Sequence, residues 1–190
     1  MLQRTALVNF MWPLLAAAAT AQAPTAPLPP EVIPQPADVA SPEAIIQAVY
    51  SVISGPVGAP RDWPRLRSLM APGTIFAVTR AGTDGTVKTR VLSVEDYISA
   101  SSKALANAAF YEHGVVAHVW RYAHIATVIS PYESRHAPAE APFQRGINTF
   151  LLATDGERWR IISISWEGET AAFPLPPEEA AFLRGGQSPR

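Results

Sequence analysis

Apolar positions along the chain switch between a spacing of three to four and a spacing of two, and the switches outline the elements. Ile45, Ile46, Val49, Tyr50 and Ile53 form one helical stripe. Ser41 supplies a cap ahead of it, Pro42 suits its first turn, and Gly55-Pro56 stops it. Arg61 to Met70 reads as a short second helix behind Asp62, with Trp63, Leu66, Leu69 and Met70 inward. Thr74–Thr79 and Thr86–Leu92 alternate as strands around the turn Gly82-Thr83-Asp84-Gly85. Ser93 and Asp96 start a third helix in capping-box style, and it runs to about Ala108.

The C-terminal half predicts four long strands: Phe110–Tyr122, Ile125–Arg135, Gln144–Ala153 and Arg158–Gly168. Helices first and a strand meander afterwards predict an α+β fold, with the helices packed on a strongly curved antiparallel sheet that forms a cone-like cup. A tight hairpin at Asp155-Gly156 would put Phe150, Leu152, Trp159, Ile161, Asn148, Ser163, Gly146 and Ser165 on one face. The same treatment around Ala123-His124 gives an inner face of Val119, Val128, Ala117, Ser130, Val115, Tyr132, His113 and Ser134. One slipped residue would exchange the faces.

The ends read differently. Residues 1–23 have a single basic residue, Arg4, then an apolar run, then small residues around Ala19, Ala21 and Ala23, the order of a cleaved signal peptide. Residues 24–40 are a proline-rich linker, residues 41–170 the domain, and residues 171–190 a C-terminal tail. The expected location is periplasmic or secreted, with no membrane attachment after cleavage. The chain has no cysteine, so its core holds without disulfides and thiolate metal sites are excluded. With 15 basic and 16 acidic residues and no basic run, nucleic acid is not an expected partner.

Several strings carry a family resemblance: Ile53-Ser54-Gly55-Pro56, Asp62-Trp63 with Leu66 and Leu69, Tyr132-Glu133-Ser134-Arg135, Arg145-Gly146-Ile147-Asn148, and Trp159-Arg160-Ile161-Ile162-Ser163 with Trp166. With the element order, they resemble the nuclear transport factor 2-like superfamily in its SnoaL-like branch, over about residues 41–170. The strings are closer to bacterial exported members than to any enzyme with an assigned reaction. The resemblance implies a conical α+β fold around a pocket and homodimers formed through the outer sheet face. It does not select a function, because the superfamily holds isomerases, cyclases, dehydratases, epoxide hydrolases and non-catalytic members.

Enzymes of this fold that move protons resemble one another in placing an aspartate inside the cup. Here Asp38, Asp62, Asp84, Asp96 and Asp155 fall in the linker, at helix starts and in turns. The strand carboxylates are Glu112, Glu133 and Glu167; an unpaired carboxylate is costly to bury, so a solvated strand edge is the default for each. The candidate catalytic set is His113, Tyr132 and Glu167, with Glu133 as substitute and Glu167 at the pocket mouth. The candidate ligand-binding set is Trp63, Tyr97, Ser130, Arg145, Asn148, Ser163 and Ser165. No metal or cofactor motif occurs, and none is expected. Three readings remain open: a non-catalytic module that binds a small apolar ligand or dimerises, a cofactor-free lyase, isomerase or hydrolase, and an assembly module. The enzyme reading needs His113, Glu133 or Glu167 to face inward; the carrier reading needs a pocket of roughly 300 Å³ or more.

Overall fold

The computed structural model describes residues 32–82 and 84–185; the expected leader and the first part of the proline-rich stretch lie outside them. Among the described residues the helices are α1 (Pro42–Ile53), α2 (Trp63–Ser68), α3 (Val94–Leu105) and α4 (Pro177–Leu183). The strands are β1 (Met70–Ala81), β2 (Val87–Ser93), β3 (Tyr111–Gly114), β4 (His118–Tyr122), β5 (Ile125–Arg135), β6 (Gln144–Thr154) and β7 (Trp159–Gly168). The local signals act as read. Ser41 accepts from the Ala44 amide at 3.1 Å, Asp62 accepts from Arg65 at 2.9 Å, and Ser93 with Asp96 closes a capping box. The α1 stripe is buried from Ile45 to Ile53 against the sheet.

The strands form one sheet in the order β2-β1-β7-β6-β5-β3, with β4 also on β5. The sheet is mixed, not wholly antiparallel, because β7 lies parallel to β1. After α3 the chain restarts at the far edge and returns through antiparallel β5, β6 and β7. The last of these reaches the free side of β1 running in the same direction.

Two irregularities set which side chains face the helices. The expected strand Phe110–Tyr122 is two strands. β4 pairs Val119 with Val128, as the tight Ala123-His124 turn dictates, but β3 pairs Glu112 with Ser134 and Gly114 with Tyr132. Four steps from His118 to Gly114 therefore match three on β5, from Ile129 to Tyr132, and the extra residue is a bulge. On β7, Ile161 pairs with Leu152 while Ser163 pairs with the next residue, Leu151, so Ile162 is the extra residue there. Beyond each bulge the alternation changes phase.

Ordered structure extends on both sides of residues 41–170. A 3₁₀ turn, Pro36–Val39, buries Val39 and pairs Asp38 with Arg65 at 2.7 Å. Past the sheet, α4 packs on β5 with Phe182 buried, and its Glu179 meets His118 at 3.0 Å. No helix among the described residues is long and apolar enough to cross a membrane.

The end of α1 is held by Arg61, a buried cation whose partners are carbonyls. Its guanidinium donates to Ile53 at 3.0 Å, Gly55 at 2.8 Å and Ala59 at 2.7 Å. These groups include the acceptors a helix end leaves open, and a positive charge suits that end of the dipole. A Cβ at Gly55 would lie 2.9 Å from this guanidinium, so the loop needs glycine there as well. Arg61→Met should cost about 3 kcal/mol, since charged hydrogen bonds are lost and buried acceptors are left open. In a domain of this size that lowers Tm by roughly 6–12 °C. Scanning calorimetry checks it; a change within 2 °C would contradict the assigned role.

Candidate active site in the cup

The last turn of α1 points Tyr50 into the sheet. Its ring lies against the Cα of Gly114, where an added Cβ would fall 2.1 Å from the ring, so a side chain there would displace the tyrosine. The Tyr50 hydroxyl is 2.7 Å from Ser130 Oγ and accepts from Asn148 Nδ2 at 3.0 Å. Asn148 Nδ2 also donates to Glu112 Oε1 at 3.3 Å, and Ser134 Oγ donates to Glu112 Oε2 at 3.0 Å. Glu112 thus faces two neutral donors, and no cation pairs with it among the described residues.

This environment opens on a cavity of about 430 Å³. Phe76 and Tyr97 stack along one wall at 4.3 Å between ring centres, and Trp166 meets both edge-on at 6.5 and 6.2 Å. Phe110, Phe143 and Phe150 line other sides, and Arg80, Gln144 and Glu169 add polar groups. Tyr132 reaches across Gly146, where a Cβ would lie 2.6 Å from its hydroxyl. That hydroxyl has no hydrogen-bond partner among the described residues and remains available to a ligand.

Burial pushes the Glu112 carboxyl up to about 7; the hydrogen bonds from Ser134 and Asn148 pull the other way and only partly offset it. Burial, with the Glu112 charge second, raises the Tyr97 phenol to about 12 and moves Tyr50 and Tyr132 in the same direction. Near neutral pH the cup therefore holds a carboxyl poised between its two forms beside phenols that stay protonated.

The structure corrects much of the expected site. Tyr132, Tyr97 and Asn148 line the cavity. His113 is exposed, because the β3 bulge turns Glu112 inward in its place. Glu133, opposite His113, is ion-paired with Arg135. The β7 bulge turns Ile164 and Trp166 inward, so Ser163, Ser165 and Glu167 lie on the opposite face and Glu167 is exposed. Ser130 is fully buried behind Tyr50, outside the cavity lining. Arg145 turns away to pair with Glu169 at 2.8 Å. Trp63 packs on the core away from the cavity. Of the residues that are central here, Glu112 departs from the solvated strand edge expected of it, and Tyr50 is more than a member of the α1 core stripe. Two traces were present. A glycine inside a strand, Gly114, signals a bulge or close approach, and the doublet Ile161-Ile162 breaks the apolar alternation. Among the described residues no group of three His, Cys, Asp or Glu gathers as a metal ion would require.

The raised Glu112 value makes a stability prediction. Between the ordinary 4.5 and about 7 the folded state holds a proton that the unfolded chain releases. The wild-type chain therefore loses stability as pH rises through that window and levels off above it. Glu112→Gln lacks this slope, so its stability relative to wild type should rise by on the order of 3 kcal/mol between pH 4.5 and 8. Urea unfolding of both proteins at several pH values measures the difference; parallel profiles would contradict the assigned environment.

No protein-family model matches the sequence, and no curated protein matches it. Solved structures do. A provisionally named calcium/calmodulin-dependent protein kinase type II association domain from Thiobacillus denitrificans is 15% identical, with a TM-score of 0.52 over 68% of this chain and 96% of its own. A provisionally named dehydratase of the NTF2-like family from Streptomyces avermitilis is 17% identical, with a TM-score of 0.50 over 70% of this chain and 97% of its own. At such identities the likeness is one of fold, and the fold of the described domain is the NTF2-like α+β cone.

Proposed function

We propose that this chain is exported and that its cup binds a small, largely apolar molecule bearing a carbonyl or hydroxyl group, with Glu112 moving a proton to or from it. The observation that carries the reading is the Glu112 carboxyl on the wall of a 430 Å³ cavity, held by Ser134 and Asn148 without a cation. A purely passive pocket has no use for such a group, whose burial costs stability; a general acid or base titrating near neutral pH does. Of the expected catalytic set His113, Tyr132 and Glu167, with Glu133 as substitute, His113 and the two glutamates do not line the cavity, and Glu112 takes the acid–base role. The carboxylate takes a proton from a carbon beside the substrate carbonyl. The Tyr132 hydroxyl donates to the oxygen on which charge develops. Return of the proton to the γ carbon of a β,γ-unsaturated substrate completes an isomerisation, and departure of a leaving group from the β carbon completes an elimination. The N-terminal pattern of Arg4, an apolar run and small residues supports export.

A pairing of two copies draws support from the outer sheet face. Ile75, Leu151, Val91 and Trp120 are exposed on strands there, at 39–61%.

Small cyclic ketones and enones in deuterated water test the chemistry by NMR. The wild-type protein should accelerate exchange at the carbon beside the carbonyl for compounds that bind. Glu112→Gln should slow that exchange by about 10²- to 10⁴-fold while retaining binding. Equal exchange by both proteins, or binding with no exchange, would leave a carrier and overturn the catalytic reading.

A further inference from the structure

The rim of the cup carries unneutralised positive charge. In the β1–β2 ribbon, Arg80 pairs directly with Lys88 and Val78 with Arg90. Directly opposed residues share a face. Phe76 and its partner Leu92 are buried on the inner face, and alternation puts Val78, Arg80, Lys88 and Arg90 on that same face, with Arg80 lining the cavity. Each of the three cations is exposed, and none has a carboxylate within 4.0 Å among the described residues. Other cations are engaged: Arg65, Arg67, Arg135, Arg145 and Arg160 pair with carboxylates, and Arg121 lies over Trp159. Glu169, the acidic group lining the cavity besides Glu112, is already bound by Arg145. Asp96 is near enough for Arg90 to act on it, but Ser93 holds it in the α3 cap.

We infer that the ligand is a small organic anion, a monocyclic aromatic or alicyclic carboxylate, whose charged end is held at Arg80 and whose body lies against Phe76, Tyr97 and Trp166. The inference adds a substrate class to the acid–base reading and rests on the same cavity. A positive rim draws an anion in from solution, and a guanidinium offers a carboxylate paired hydrogen bonds. Aromatic walls complement a flat, apolar body. The charged end meets Arg80 at the rim, while the polar part of the ligand meets Tyr132 and Asn148 on the cavity wall.

The test compares benzoate, phenylacetate, 3-phenylpropionate and cyclohexylacetate with their primary amides by ligand-observed NMR at about pH 6, at low and high salt. At least one acid should bind about tenfold more tightly than its amide at low salt, and the preference should shrink at high salt. Arg80→Gln should reduce the preference to about twofold or less while amide binding persists, which also shows the variant folded. Lys88→Gln and Arg90→Gln should each weaken acid binding about twofold. Glu112→Gln should keep the acid preference even though it slows proton exchange, which separates this inference from the catalytic reading. Equal binding of acid and amide, a preference that survives Arg80→Gln, or no acid bound at all would overturn it. Glu112-dependent exchange on neutral ketones would then still stand by itself.

Discussion

A strand presents successive side chains to opposite faces, and in this protein two extra residues decide what the cup contains. The bulge between β3 and β4 turns Glu112 inward and His113 outward. The bulge at Ile162 turns Ile164 and Trp166 inward and leaves Ser163, Ser165 and Glu167 outside. Without the first the cavity would lose its carboxyl; without the second it would exchange an aromatic wall for hydroxyls. The segment between β3 and β4 stays bonded to β5 through the Val115 and Ala117 amides, and β7 stays paired on both sides of Ile162, so the change of phase adds shape without removing the frame.

The site built on that frame works against stability. Glu112 is desolvated with neutral donors only, and the Tyr50–Ser130–Asn148 hydrogen bonds fix the wall behind it. A buried polar network of this kind rests on complete satisfaction of its members and on rigid surroundings. The surroundings come from the α1 stripe packed on the sheet, from Arg61 at the α1 terminus, and from glycines at 114 and 146 that admit the two tyrosine rings. With no cysteine in the chain, this packing carries the domain without covalent help.

What was legible in the sequence was what is decided locally. The caps at Ser41, Asp62 and Ser93 depend on neighbours three residues away, and they formed as read. The buried face of β5 follows from the tight turn before it; the turn after β6 spans residues 155–158, with Thr154 opposite Trp159, and not the expected two residues, and the β6 face survives because the difference is an even number of residues. The site was less legible because a bulge belongs to a pair of strands. Gly114 and the Ile161-Ile162 doublet hint at one, but only pairing with β5 and β6 fixes where the phase changes. The role of Arg61 is illegible for a related reason: its partners are carbonyls, which side-chain patterns do not display. The α4 contact likewise depends on a distant partner, His118, on a strand the tail reaches only after folding.

The claim on which the functional account rests is that Glu112 stands inside the cup as a carboxyl titrating near neutrality. Its side-chain carbon can be followed by NMR in protein carrying ¹³C-labelled glutamate, with Glu112→Gln providing the assignment. The account predicts one glutamate resonance, absent from the variant, that titrates with a midpoint near 7. A Glu112 resonance titrating near the ordinary 4.5 would place the side chain in solvent and contradict the account.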